Sequence, residues 1–111
     1  MVITLYHYPK CSTSRTALEM LSERGVEPVV VEYMRTGWDE ATLRRLGERS
    51  GRGVRGLLRT KEPAAAGLGE ADDAALIAAM IAEPVLVERP ILETEKGVRL
   101  GRPPEAILEI L

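Results

Sequence analysis

The sequence contains one cysteine, Cys11, and one histidine, His7, in 111 residues. A single thiol cannot close a disulfide within the chain, so Cys11 is either an inert buried side chain or a reactive thiol held reduced, and a cytoplasmic location is expected. No cluster of His, Cys and acidic residues stands at metal-ligand spacing and no glycine-rich phosphate loop is present, so neither a metal site nor a tightly bound cofactor is expected. Basic residues are not in excess. Fifteen Lys and Arg against 17 Asp and Glu leave a formal charge of -2, so nucleic acid is not an expected partner and any anion site must be local. The apolar runs are too short for a bilayer, and residues 1–10 lack the charged start, long apolar run and cleavage site of a secretory leader; no membrane association is expected. Repeats, linkers and low-complexity tracts are missing too. An apolar content of 45% then suits a single domain over residues 1–111 with one core.

What is present reads as alternating α and β structure. Val2–Tyr6 has strand character and is followed by a loop through Pro9. Ser12, Thr13 and Ser14 can cap a helix whose inner face carries Ala17, Leu18 and Leu21, before Arg24-Gly25 ends it. Pro28–Tyr33, with the run Val29-Val30-Val31, reads as a buried strand, parallel to the first by a crossover connection. A helical block follows. Asp39–Arg49 is a capped amphipathic helix with Leu43 and Leu46 inward, and Val54–Leu58 is a further turn or two. Residues 62–71 read as a mobile loop or broken helix, and Asp72–Ile81 as a helix with Leu76, Ile77, Met80 and Ile81 inward. Pro90–Thr94 and Val98–Leu100 form a hairpin, after which Pro103-Pro104 opens a last helix docking Ile107, Leu108 and Leu111. The expected fold class is α/β: a mixed four-stranded sheet flanked by helices, with a helical insertion in mid-chain.

Cys11 falls where a strand-loop ends and a helix begins, so backbone N–H groups and the positive end of the helix dipole face its sulfur. Hydroxyls of Ser12, Thr13 and Ser14 can add hydrogen bonds, and His7, Lys10 and Arg15 add positive or potentially positive charge. A lone cysteine is more often a small buried apolar residue. Its cap position, the proline loop and the cationic neighbours favour a thiolate nucleophile instead. The position of a second thiol in a CxxC pair is filled by Ser14, so any adduct on Cys11 must be cleared by an outside thiol. His7 can support the thiolate electrostatically or simply end a strand.

The run His7-Tyr8-Pro9-Lys10-Cys11-Ser12-Thr13-Ser14-Arg15 resembles the active-site loop, close to HxPxCxxSR, of the ArsC family of glutaredoxin-coupled arsenate reductases. Leu57-Leu58-Arg59, Glu88-Arg89-Pro90-Ile91 and Gly101-Arg102-Pro103 resemble, in the same order, the later family segments that each deliver an oxyanion-binding arginine. The resemblance implies a thioredoxin-like domain in which Cys11, His7 and Ser14 are catalytic and Arg59, Arg89 and Arg102 converge on the oxyanion. It also implies a cis Arg89-Pro90 peptide. Singly, each arginine is more often a solvated surface residue, as Arg44, Arg45, Arg49 and Arg52 are expected to be. Planar, permanently charged guanidinium groups are nonetheless suited to chelating a tetrahedral oxyanion. Tyr8 departs from the family, which commonly has a small amide residue there.

The implied reaction is attack of the Cys11 thiolate on arsenate, with glutathione as co-substrate and glutaredoxin as the protein reductant, and a monomer is the expected state. Two other readings come from the same resemblance: a transcriptional regulator of the Spx type, which binds RNA polymerase, and a glutathione-dependent thiol oxidoreductase of another substrate. Spx-type regulators usually carry a CxxC pair, and this chain does not.

Overall fold

The computed structural model describes residues 2–111, which divide into two compact units, residues 2–36 with 89–111 and residues 37–88. The first contains a four-stranded mixed sheet in the order β2-β1-β3-β4: β1 (Thr4–His7), β2 (Val29–Glu32), β3 (Ile91–Thr94) and β4 (Gly97–Leu100). β1 runs parallel to β2 and antiparallel to β3, and β3 pairs antiparallel with β4. Two α-helices belong to this unit, α1 (Ser12–Glu23) and the single turn α2 (Tyr33–Thr36). The register sets Leu5 opposite Leu92. Those two side chains form the sheet side of a core completed by Ala17 and Leu21 of α1 and by Ile107 and Ile110. Each large apolar side chain fully removed from water here contributes about 1.5–3 kcal/mol.

The expected elements are present with shifted ends. The first strand begins at Thr4 and takes in His7, leaving Val2 exposed. Val29 and Val30 are 56% and 40% exposed, not buried as expected, because β2 is an edge strand bonded only to β1. Interior and edge strands use the same β-branched residues, so composition alone does not separate them. The last helix is a 3₁₀ segment, Pro104–Ile110, rather than an α-helix. A repeat of three residues per turn aligns Ile107 with Ile110, so Ile110 is buried and Leu108 and Leu111, expected inward, are only partly covered. Thr94 ties this segment to the hairpin, its Oγ1 donating to the Ile110 carbonyl at 2.8 Å.

The second unit is helical. In α3 (Glu40–Ser50) the Asp39 carboxylate accepts from the Thr42 N–H at 2.8 Å, satisfying one of the donors a helix start leaves open, and Leu43 and Leu46 are buried as expected. Val54–Leu57 is a 3₁₀ turn, residues 62–71 contain only the short 3₁₀ turn Pro63–Ala65, and α4 (Asp73–Ala82) is capped by Asp72. Leu76, Ile77 and Met80 face inward, but Ile81 is 42% exposed, lying just outside the apolar stripe. Leu58 forms an isolated antiparallel bridge with Val87, closing the unit on itself.

Gly101 packs tightly against the Pro90 ring: a Cβ at Gly101 would lie 2.6 Å from Pro90 Cγ and 3.3 Å from Ile107 Cγ2. The Gly101 N–H also donates to the Pro90 carbonyl at 2.8 Å. Gly101→Ala is therefore expected to lower the unfolding free energy by about 1–3 kcal/mol. Urea denaturation should show this as a lower midpoint at unchanged slope, and a wild-type midpoint would mean that the contact yields without cost.

Candidate active site

The loop between β1 and α1 is shaped by Pro9. The Cys11 N–H donates to the Tyr8 carbonyl at 3.0 Å, closing a four-residue turn with proline at its second position, where its fixed φ is favoured. The Arg15 side chain donates to the Pro9 carbonyl at 2.8 Å and holds the turn against the helix. Cys11 is the N-cap of α1, with φ -94° and ψ 122° and no side-chain cap bond. The serines and threonine expected to cap the helix instead form its first turn. Their open backbone N–H groups, not their hydroxyls, serve the cysteine.

The Cys11 sulfur is half-buried. Burial pushes its thiol up, but the Ser14 N–H, the Arg89 side chain, the Thr13 N–H and the charge of Arg102 outweigh it, leaving the thiol below its ordinary value. The Arg102 Nη2 lies 3.6 Å from Sγ. Arg89 is 6% exposed, and its guanidinium sits 5.0 Å from the centroid of the Tyr8 ring. Each of these arginines precedes a cis proline, Arg89-Pro90 as the resemblance implied and Arg102-Pro103 in addition.

Ser14 has no exposed surface, and its hydroxyl engages His7 and the Tyr8 backbone. The Tyr8 N–H donates to its Oγ at 3.1 Å, and Oγ lies 2.6 Å from His7 Nδ1. We assign Ser14 O–H as donor to an unprotonated Nδ1, with the ring proton on Nε2, because one hydroxyl then satisfies both neighbours. His7 is buried, and that burial pushes its pKa below the ordinary 6.5, against the raising effect of Glu32 and with the lowering effect of Arg15. Burial thus acts against a positive charge on His7 beside the thiolate, and the ring's Nδ1 faces Ser14.

Arg59 belongs to the second unit. Its Nε lies 3.3 Å from Glu62 and its Nη1 3.5 Å from Glu88, both carboxylates of the same unit, and its N–H donates to the Leu86 carbonyl at 2.7 Å. Of the six residues singled out from sequence, the first unit thus brings together Cys11, His7, Ser14, Arg89 and Arg102. The sequence reading did not find the contact between Tyr8 and Arg89. The only signal was an aromatic residue in a position where the resembling family has a small one.

Two measurements check this electrostatic picture. The iodoacetamide reaction rate of native Cys11 should rise with a midpoint below the free-thiol value of about 8.5, and Arg102→Ala should move it upward; a native midpoint equal to that of the urea-unfolded chain would reject a stabilised thiolate. For His7, a depressed folded pKa means that the unfolded chain takes up the proton first, so its contribution to stability is full above about 6.5 and is lost as pH falls through the folded value. Urea midpoints should decline on acidification below that pH and do so less in His7→Gln; parallel declines in both would reject the assignment.

Similarity to known proteins fits this arrangement. The family model described as ArsC family matches residues 6–110. The chain is 46% identical to the Escherichia coli K12 protein named uncharacterized protein YfgD, over 98% of this chain and 96% of that one. It is 40% identical to an arsenate reductase of Rhizobium meliloti, over 100% of this chain and 82% of the relative. Among solved structures, an arsenate reductase from Vibrio cholerae superposes with a TM-score of 0.93 at 41% identity, covering 100% of this chain and 98% of the other.

Proposed function

The chain belongs to the ArsC family, and on that footing we propose that it is an arsenate reductase whose nucleophile is Cys11. The observation that carries the proposal is a half-buried sulfur at the start of α1, with Arg102 Nη2 3.6 Å away and with Arg89 and first-turn N–H groups as further donors. A nucleophile attacking an anion must be negative while its target's charge is offset, and fixed guanidinium and N–H donors serve both needs without reorganisation.

In the proposed sequence the Cys11 thiolate bonds to arsenic(V) and one arsenate oxygen leaves as water after protonation, with no change in oxidation state. Glutathione displaces a second oxygen in the same way, so that arsenic bears both sulfurs. Glutaredoxin thiolate then attacks the glutathione sulfur, the mixed disulfide leaves, and the electron pair of the broken sulfur–arsenic bond reduces arsenic(V) to arsenic(III). Water releases arsenite and restores Cys11. External thiols are required because the chain has no second cysteine. Arg89 and Arg102 hold the oxyanion, and Arg59 is assigned to the same anion on the strength of its motif position alone. His7 and Ser14 keep the loop and its N–H donors in place. Such chemistry suits a glutathione-rich cytoplasm and a protein acting as a monomer. Among the described residues no helix is long and apolar enough to cross a membrane.

A coupled assay with arsenate, glutathione, glutaredoxin, glutathione reductase and NADPH tests the reading. Arsenate-dependent NADPH oxidation should vanish in Cys11→Ser. Arg89→Ala or Arg102→Ala should lower kcat/KM by about 10–100-fold, the loss of one charge-assisted hydrogen bond of about 1.5–3 kcal/mol. Arg59→Ala should exceed the effect of Arg44→Ala, which removes an exposed helical ion pair with Glu40. No turnover in the wild type, or equal small effects of all four arginines, would reject the proposal.

A further inference from the structure

Tyr8 combines two features that its place in the chain does not require. Its backbone is fixed on both sides by the start of α1: its N–H donates to Ser14 Oγ at 3.1 Å, and its carbonyl accepts from the Cys11 N–H at 3.0 Å. Its side chain projects from this fixed root so that the ring lies 5.0 Å from the carbon at the centre of the Arg89 guanidinium. A guanidinium donates its hydrogen bonds from its edge, in the plane, whereas an aromatic ring attracts its face. Stacking therefore constrains the group without using a donor that an anion needs. A carboxylate partner would occupy edge donors, as Glu88 does at Arg59.

We propose that Tyr8 is a positioning residue for Arg89: its ring face, rooted on the same helix start as Cys11, holds the guanidinium with its edge donors presented to the sulfur and to a bound tetrahedral oxyanion. In this pose the Arg89 side chain is among the groups that lower the Cys11 thiol's pKa. The residues that fix Tyr8, Ser14 and Cys11, are those of the reactive loop itself, so the position of the nucleophile and that of the ring against Arg89 are set by one piece of chain. The part concerning the oxyanion rests on the arsenate reading above; the part concerning the sulfur does not.

The test compares wild type, Tyr8→Phe, Tyr8→Leu and Arg89→Ala by the pH dependence of iodoacetamide alkylation and by the coupled arsenate assay, with urea midpoints recorded for each. A partly desolvated cation–ring contact corresponds to an upward shift of the alkylation midpoint by about half a pH unit in Tyr8→Leu, and to a fall in kcat/KM of roughly three- to tenfold. Tyr8→Phe, which keeps the ring and loses only the hydroxyl, should recover most of both, and the double variant Tyr8→Leu/Arg89→Ala should add little to Arg89→Ala. An unshifted midpoint in Tyr8→Leu where Arg89→Ala has shifted it overturns the proposal. So does a Phe variant as impaired as the Leu variant, or a Leu effect that persists undiminished without Arg89. Wild type that fails to turn over arsenate while the alkylation series behaves as expected rejects the arsenate reading and leaves the positioning of Arg89 at the sulfur supported.

Discussion

A sulfur anion held partly out of water is costly, and the site depends on how that cost is met. Burial favours the neutral thiol, and enough donors face Cys11 to reverse the preference. Two of them, the N–H groups of Thr13 and Ser14, follow from helix geometry, since the first turn has no internal acceptors for its donors. The others are guanidinium groups delivered by segments far away in the chain, before β3 and after β4. Without the guanidinium groups burial would gain ground and leave the thiol more nearly inert, whereas without the burial the same donors would be weakened by solvent.

The first unit is arranged to keep those groups in place. The turn at Pro9 sets Cys11 on the helix start, Ser14 binds the loop through Tyr8 and His7, and the bare backbone of Gly101 lets Pro90 approach within contact. Beneath them Leu5, Ala17, Leu21, Leu92, Ile107 and Ile110 form the packed layer from which the loops project. Loops over a tightly packed base can be precise because interiors are close-packed and resist small displacements. The hydrogen bond from Thr94 to the Ile110 carbonyl extends the same base to the C-terminal segment.

Polar side chains in this site divide into those that meet the anion and those that set the pose of others. His7 illustrates the second kind. It reads from sequence as a possible cation beside the thiolate, yet its ring is buried, its pKa is lowered, and it engages Ser14, whose hydroxyl also meets the Tyr8 backbone. Burial decides between the two roles, because desolvation disfavours the charged imidazolium. Arg59 shows the same dependence on surroundings: within its own unit its guanidinium lies beside the carboxylates of Glu62 and Glu88.

Local information in the chain was enough for much of this protein. Alternating β-branched residues, the capped start of the helix at Asp39 and the hairpin pattern of Pro90–Thr94 with Val98–Leu100 marked the elements, because strand, cap and turn preferences act over a few residues. The motif around Cys11 marked the nucleophile for a similar reason: its N–H donors come from its own helix. Tertiary structure alone decided that β2 lies at an edge with its valines exposed, that the last helix winds as 3₁₀ with Ile110 buried, that His7 is buried with its pKa lowered, and that the Arg89 guanidinium lies over the Tyr8 ring. Each of these depends on which distant segments lie alongside a residue and how much water they exclude, and neither is encoded in a window of neighbouring residues.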